Sequence, residues 1–539
     1  MKREWWQRGV IYEVYVRSFQ DSNADGVGDL EGVRGRLDYL RWLGVDAVWV
    51  TPFYPSPMAD FGYDILDFKG IDPLFGDLEA FDRLLEDARR RELRVIVDVV
   101  PNHSSSEHPW FLESRSARGN AKRDWYVWAD PGPDGGPPNN WLSVFGGPAW
   151  TFDERSGQFY LHTFLPEQPD LNWRNPAVVG AMFDVMRFWL DRGVDGFRID
   201  SAHHLMKDPQ LRDNPLLPPE TPVDGRRTEY GGQLHVNDVG HRDAHEIYRR
   251  LRRLLDSYAA AGGPPRVALG ETRIYEWRQW ASYYGAQLDE LHLPLNFGLV
   301  SAPWDAKTVR TLIDQVEKAL PWGAWPSWVL SSHDEQRVAS RLGPAQARVG
   351  MMLLLTLRGT PMIYYGDELG ARDVAVPQHL VQDPWEKNLP GLGLGRDPVR
   401  APMRWDEKTN GSFCHGHVTP WLPVNVTVPS VEAQRDDSCS VLTLTRRLLH
   451  ERRRNPALSE GRYEPIDQAS NDCVVFAREI EAQRLLVALN FTETAQTVHA
   501  GVAGPGSVVV STFLDREEPV ELSKISLRPN EGCLIRVLE

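Results

Sequence analysis

Cysteine is scarce. The 539 residues carry four, Cys414, Cys439, Cys473 and Cys533, with no Cys-x-x-Cys pair and no histidine close by at ligand spacing. That excludes a thiolate zinc site and a disulfide framework, and reads as reduced thiols in a cytoplasmic protein. Long apolar runs are also missing. The longest, such as residues 351–357, fall far short of the roughly 18–20 residues a membrane span needs, so no membrane partner is expected. Lys2 and Arg3 are followed by neither an apolar stretch nor a small-residue cleavage site, so no secretory leader is expected. Positive charge is in deficit. The 60 Lys and Arg face 75 Asp and Glu, a net charge of −15 that repels nucleic acid and anionic lipid. Internal repeats and low-complexity segments are absent. A neutral or small partner remains, and the oligomeric state is unspecified.

At 42% hydrophobic and 25% charged residues, the chain can bury a large core. It has 20 Trp, many in loop-like stretches: Trp125, Trp128, Trp141, Trp150 and Trp173. Such rings either fill cores or offer flat faces to sugars. Eight short β-rich apolar runs recur, at residues 10–16, 46–50, 94–100, 194–200, 266–271, 288–297, 327–332 and 361–366. Between them lie segments with three-to-four apolar spacing, for example Leu30, Val33, Leu37 and Leu40. Strands alternating with helices predict a parallel sheet, and eight strands close a (β/α)8 barrel.

The connection after the third run, residues 104–174, far exceeds the usual ~2–6 residues and predicts an inserted subdomain. A second insert, residues 207–242, reads as a lid or rim loop. After about residue 456 the helices stop and short alternating strands predict a C-terminal antiparallel β-sandwich. The expected division is therefore a barrel over 1–103 and 175–456, an insert over 104–174 and a sandwich over 457–539.

In such barrels the active site lies at the carboxyl ends of the strands. Polar residues that follow the runs form a set: Asp98 to His103 after the third, Arg198 and Asp200 after the fourth, Glu271 after the fifth, His333 and Asp334 after the seventh. Each alone reads as a helix cap or loop residue. Together they bring carboxylates and histidines to one mouth. Arg198 stands two residues before Asp200, on the same strand face, and keeps it ionised as a nucleophile needs. Glu271 has no cation at that spacing and follows a buried strand, so its pKa is expected to sit high, as a general acid needs.

Asp98-Val99-Val100-Pro101-Asn102-His103, Gly196-Phe197-Arg198-Ile199-Asp200, Gly270-Glu271-Thr272 and His333-Asp334 resemble, in order, the four defining regions of the α-amylase family of glycoside hydrolases, in its α-glucosidase and oligo-1,6-glucosidase branch. The resemblance spans nearly the whole chain, and Gln168-Pro169-Asp170-Leu171-Asn172 resembles a further marker in the insert. It implies that Asp200 is the nucleophile, Glu271 the acid/base and Asp334 the carboxylate that binds sugar hydroxyls and stabilises the transition state. By the same resemblance His103 and His333 bond the first sugar, Tyr63 stacks on it, and Arg198 orients Asp200. Asp64 and Arg400 close the pocket around the non-reducing end, and Phe145 and Phe164 line its wall. For the last two, core packing fits equally. Asp200 and Glu271 suit a retaining double displacement, which needs carboxyl groups about 5–5.5 Å apart.

Asp21, Asn23, Asp25, Val27 and Asp29 place oxygen ligands at alternate positions, with Gly26 at the sharp turn, as calcium loops do. Position twelve is Gly32, and a strand precedes the loop, so this is no EF-hand. Glucosidase relatives bind one ion in such a loop. A structural Ca2+ or Mg2+ without catalytic duty is expected, and no organic cofactor.

Two departures bear on the substrate. Ser201 follows the nucleophile, where relatives acting on α-1,6 bonds usually have Val, and leans toward α-1,4. The marker at 168–172 leans toward α-1,6, but Ser201 is weighted more because its neighbour touches the glycosidic oxygen. The second departure is Ser332-His333-Asp334-Glu335-Gln336-Arg337, where relatives carry Asn before the His and Asn or Gln after the Asp. Arg337 is included among the substrate contacts. The reading is an exo-acting α-glucosidase on short oligosaccharides. The alternatives are an oligo-1,6-glucosidase, or a transglucosidase or sucrose or trehalose isomerase sharing every catalytic residue. A non-catalytic subunit, like the heavy chains of amino-acid transporters, is disfavoured because the three carboxylates are kept.

Overall fold

The structure is a computed structural model that describes residues 3–218, 229–426, 428–468, 470–481 and 483–538. Each of the eight apolar runs contains a strand: β1 (Ile11–Val14), β2 (Ala47–Val50), β3 (Arg94–Val99), β4 (Gly196–Ile199), β5 (Val267–Gly270), β6 (Leu293–Pro294), β7 (Ser327–Val329) and β8 (Thr360–Tyr364). They form one sheet in the order β7-β8-β1-β2-β3-β4-β5-β6, every neighbouring pair parallel. The sheet is a nearly closed barrel. No ladder joins β6 to β7, and the seam is bridged by the Ser327 hydroxyl, which donates to the Pro294 carbonyl at 2.9 Å. The run at 288–297 keeps only two residues in the ladder.

Strand alternation decides what faces inward. Ile11, Trp49, Ile96, Val267, Leu269, Val329 and Met362 share one buried cluster that fills the barrel. Val48, Val95, Val97, Phe197 and Ile199, on the opposite faces, join the larger core beneath the helices. Toward the carboxyl ends the inward positions turn polar. Glu13 follows Ile11 by two, Asp98 follows Ile96, and Arg198 pairs in register with Asp98. The helices start where the sequence supplies a cap: Asp77 accepts from Ala80 N, Asp305 from Thr308 N and Ser440 from Thr443 N. The helix Pro176–Arg192 ends at Gly193, whose φ of 110° suits a residue without Cβ.

Between β3 and that helix the chain builds a three-stranded antiparallel sheet (Trp128–Ala129, Trp150–Asp153, Gln158–Leu161). It returns to the barrel where Asp170 bridges to His103. After the helix Val441–Arg454 follow a six-stranded antiparallel sheet and a two-stranded one (Gln496–Val498 with Ile525–Leu527). Val474, Phe476, Leu485 and Val487 bury one face of the larger sheet in the main core, while Val475, Ala477, Leu486 and Ala488 pack beneath Val498, Ile525 and Leu527. Among the described residues no helix is long and apolar enough to cross a membrane.

Candidate active site

A cavity of about 660 Å³ opens at the carboxyl end of the barrel. Asp200, Glu271 and Asp334 lie at its base, with Tyr63, His103, Phe145, Phe164 and Ser201 around them. Arg198, at the end of β4, is buried beneath the carboxylates. Its Nη1 lies 2.7 Å from Asp98 Oδ1 and 2.6 Å from Asp200 Oδ1, and its Nη2 lies 2.6 Å from Glu271 Oε2. Glu271 Oε2 also accepts from Ser201 N at 3.1 Å. Ser201 takes a left-handed φ of 45°, the sharp turn that carries the chain from β4 toward the cavity wall. Asp98 accepts from Trp49 Nε1 at 2.8 Å on its other oxygen.

Asp334 is gripped from the segment after β8. Arg396 Nη1 and Arg400 Nη2 lie 3.1 and 3.0 Å from its Oδ1. Arg396 also reaches Asp60 Oδ1 at 2.6 Å and Asp383 at 2.7 Å. His333 sits behind Tyr63, with Nε2 2.8 Å from the Tyr63 hydroxyl, Nδ1 2.5 Å from Glu13, and the two rings stacked at 5.5 Å. His103 Nε2 faces the Tyr63 carbonyl at 3.1 Å and Gln168 Nε2 at 3.0 Å.

Burial would raise every carboxyl in this set, and the arginines decide which ones rise. Burial pushes Asp200 well above the ordinary carboxylate range. Arg198 offsets this only in part, and the nearby charges of Glu271, Asp98 and Asp334 add to it. Burial acts on Glu271 too, but Arg198 and Arg273 outweigh it and hold that carboxyl down. Asp334 is likewise desolvated, yet His333, Arg396, Arg400 and Arg273 keep it well below its usual value. Burial lowers His103 to about 4, so it is neutral near pH 7.

The family described as α-amylase, catalytic domain, matches residues 13–461. The chain belongs to the α-amylase family of glycoside hydrolases. A probable α-glucosidase of Rhizobium meliloti (strain 1021) is 40% identical over 531 residues, 96% of this chain and 95% of that protein. An oligo-1,6-glucosidase of Parageobacillus thermoglucosidasius is 34% identical over the full length of both chains. Among solved structures, an α-glucosyl transfer enzyme is 40% identical and superposes with a TM-score of 0.94, each chain covered completely.

Within this family barrel several expectations need correction. Glu271 does have a cation at two-residue spacing, after it rather than before: Arg273 Nε lies 3.0 Å from Glu271 Oε1. With Arg198 on the other oxygen, the expected upward shift is reversed. The expectation for Asp200 is overturned too: Arg198, shared with Asp98 and Glu271, does not outweigh burial and the neighbouring carboxylates, and the Asp200 carboxyl is raised instead of being held ionised. Asp64 does not reach the cavity. Its carboxylate accepts from Ser56 Oγ, Ala59 N and Asp60 N and shapes the turn that presents Asp60. Arg400 lies behind the wall, donating to the His333 carbonyl at 2.9 Å and to Asp334, with its guanidinium over the Tyr15 ring. Arg337 points away, donating to the Tyr365 carbonyl at 2.7 Å beside the Tyr364 and Tyr365 rings. Of the two readings of the tryptophans the structure bears out core filling: Trp141, Trp150 and Trp173 are buried, and Trp125 and Trp128 pack against the main core under Lys122 and Arg123. The marker at 168–172 is less remote than expected, because Gln168 touches both His103 and Asp60. Phe145 and Phe164 do both jobs: they line the cavity and pack with Leu165 and Trp385.

Sequence reasoning missed Asp60, Arg273, Trp385 and Arg396, all of which line the cavity. Arg273 could have been found by applying to Glu271 the spacing rule used for Asp200. Residues 371–400, rich in Pro and Gly without helical period, are another over-long connection, and they deliver Trp385 and Arg396. Tyr230, Gln233 and His235 of the second insert join the wall, whereas residues 219–228 of that insert lie outside the described residues.

The loop of Asp21, Asn23, Asp25, Val27 and Asp29 buries Asp21 and Asp29 and leaves Asp25 exposed. Asp21 accepts from Asn23 N, Ala24 N and Gly26 N, Asp25 from Val27 N, and Asp29 from Ser22 and Gly32 N. Among the described residues no Lys, Arg or His forms an ion pair with Asp21, Asp25 or Asp29, and no group of three His, Cys, Asp or Glu is placed to hold a metal. The four cysteines are unpaired, and three are buried.

Proposed function

We propose that this protein is a retaining, exo-acting α-glucosidase that releases glucose from the non-reducing end of short α-glucosides. One observation carries the reading: Asp200 and Glu271 share the Arg198 guanidinium beneath a cavity in whose wall Arg396 ties Asp60 to Asp334. A shared fork favours the short carboxyl separation of a double displacement, about 5–5.5 Å, over the wider gap that holds a water in inverting enzymes. The Asp60–Arg396–Asp334 tie in the cavity wall favours terminal sugars over chain interiors.

In this mechanism Asp200 attacks the anomeric carbon while Glu271 protonates the departing oxygen. Glu271 then takes the proton from water as the glucosyl ester breaks. Asp334, kept ionised by Arg396 and Arg400, binds sugar hydroxyls and stabilises positive charge at the ring. Ser201 touches Glu271 through its amide and so lies next to the scissile bond, which supports α-1,4 preference.

Incubation with maltose, isomaltose, sucrose and trehalose, following released glucose and its first anomer, tests the reading. α-Glucose released fastest from maltose is expected. Initial β-glucose, or no turnover of any of the four, defeats it. The similarity to an α-glucosyl transfer enzyme favours a second outcome, transfer to sugar acceptors, which product analysis in concentrated maltose detects.

The three carboxylates without basic partners in the loop 21–29, together with Asn23 and the Val27 carbonyl, are hard oxygen donors suited to one Ca2+ or Mg2+. When bound, such an ion would neutralise the loop and fix the turn between β1 and the helix Leu30–Gly35, away from the chemistry. The unpaired cysteines support a reducing, cytoplasmic setting.

A further inference from the structure

One guanidinium in the cavity wall is held by two glutamates. Arg273 places Nε 3.0 Å from Glu271 Oε1, bonds Glu335 through Nη1, and sets Nη2 3.8 Å from Asp334 Oδ2. It lies 4.5 Å over the Phe297 ring, and all three acidic partners line the cavity. Glu271 therefore has both oxygens occupied, Oε2 by Arg198 and Ser201 N, Oε1 by Arg273. A proton on Oε1 is disfavoured while the cationic Nε–H donates to it.

We propose that Arg273, anchored by Glu335, is a positioning residue that keeps Glu271 an ionised base directed at the acceptor side of the cavity. The proposal rests on Glu271 being the acid/base. It sets the enzyme for the second half-reaction. There an acceptor hydroxyl gives its proton to Glu271, its oxygen bonds the anomeric carbon, and the ester bond to Asp200 breaks with the electron pair returning to that carboxylate. The first half-reaction needs the opposite state, so the guanidinium must yield Oε1 to a proton before a poor leaving group departs. Glu335 gives it a second carboxylate to stay with.

The other charged or titratable groups facing Glu271 are Arg198 and Asp200 at the end of β4, His203 in the turn that follows and Asp334 after β7. Arg198 also holds Asp200 and Asp98, so its removal disturbs the nucleophile. Arg273 bonds neither of these, and its second charge partner among the three carboxylates at the cavity base is Asp334, 3.8 Å from Nη2. Glu335 carries the opposite charge beside it, which gives the two substitutions opposite signs.

The test measures kcat/KM against pH on maltose for Arg273→Met, Glu335→Gln and the parent, and kcat on 4-nitrophenyl α-glucoside, whose leaving group needs little protonation. With Glu271 held low and Asp200 raised, the ascending limb reports the Glu271 proton in the free enzyme. Arg273→Met is expected to move that limb up by about one pH unit or more and to lower kcat on the aryl glucoside about tenfold. Glu335→Gln is expected to move the limb down, because the arginine charge then acts on Glu271 alone. Should Arg273→Met fail to fold, the Glu335→Gln limb decides by its sign. A limb unmoved or raised in Glu335→Gln, or unmoved in Arg273→Met, overturns the proposal. Glu271→Gln separates the two failures: full maltose activity in that variant removes the acid/base reading itself, whereas an inactive variant beside an unmoved Arg273→Met limb removes only the role of Arg273.

Discussion

Arg198 and Glu271 are 73 positions apart in the chain, yet Nη2 of one lies 2.6 Å from Oε2 of the other. The contact exists because β4 and β5 are neighbours in register, Arg198 opposite Leu269, so Arg198, the last residue but one of β4, meets Glu271 just past the end of β5. Arg198→Lys keeps a charge but loses the fork that spans two carboxylates. It is expected to fold and to lose about 10²–10³-fold in kcat/KM on maltose. Arg198→Met leaves three buried carboxylates without their shared cation and is expected to cost about 3–5 kcal/mol in urea unfolding.

Ser201 makes a different kind of prediction, because its backbone is strained as well as bonded to Glu271. Ser201→Val puts a β-branched side chain at a φ of 45°, which costs about 1–2 kcal/mol and lowers Tm. The added methyls narrow the wall next to Glu271. The ratio of kcat/KM for isomaltose over maltose is expected to rise about tenfold. An unchanged ratio with a lowered Tm would assign Ser201 to the turn alone.

Burial raises the Asp98 carboxyl to about 6, with Arg198 offsetting part of it. In the unfolded chain the same group titrates near 3.9, at about the value of free Asp. The folded state therefore holds this proton longer. The stability Asp98 contributes is fully present below about pH 4 and is lost as pH rises through 6, at most about 3 kcal/mol. Asp98→Asn removes that slope while keeping the shape, so the difference in unfolding free energy between parent and variant is expected to shift against the parent between pH 4 and 6. Asp334, held low in the fold, works in the other direction, its contribution being lost only as pH falls below about 4.

For the loop 21–29 the expected outcome is thermal rather than catalytic. Chelator-treated protein given excess Ca2+ gains a few degrees in Tm, about 2.7 kcal/mol at a hundredfold excess over Kd. Asp21→Asn loses that gain while kcat at 25 °C stays as in the parent. An ion that changes kcat without changing Tm contradicts a structural role.

The barrel was legible because its strands are mostly apolar and buried on both faces, with polar residues gathered at their carboxyl ends. The meeting of Asp200, Glu271 and Asp334 in one cavity was legible for the related reason that polar groups collect at the strand ends. Residues that arrive from loops were not. Asp60 and Asp64 are four positions apart in one turn, and only packing tells the carboxylate that caps the turn from the one that faces Arg396. Arg396 and Arg400 stand equally close in sequence, and the one assigned to the pocket is the one behind it. The protonation of Glu271 was misread because an arginine at the end of β4 serves two strands at once, a relationship that spacing along one strand cannot express.

The open seam between β6 and β7 divides the site. Asp200 and Glu271 follow strands on one side of it, Asp334 on the other, and the barrel wall there is held by a serine hydroxyl in place of a ladder. On heating, the wall has its weakest hoop at this joint. A small widening there carries Asp334 away from its two partners while the remaining strands stay zipped, so catalysis is expected to be lost some degrees before far-UV circular dichroism registers melting.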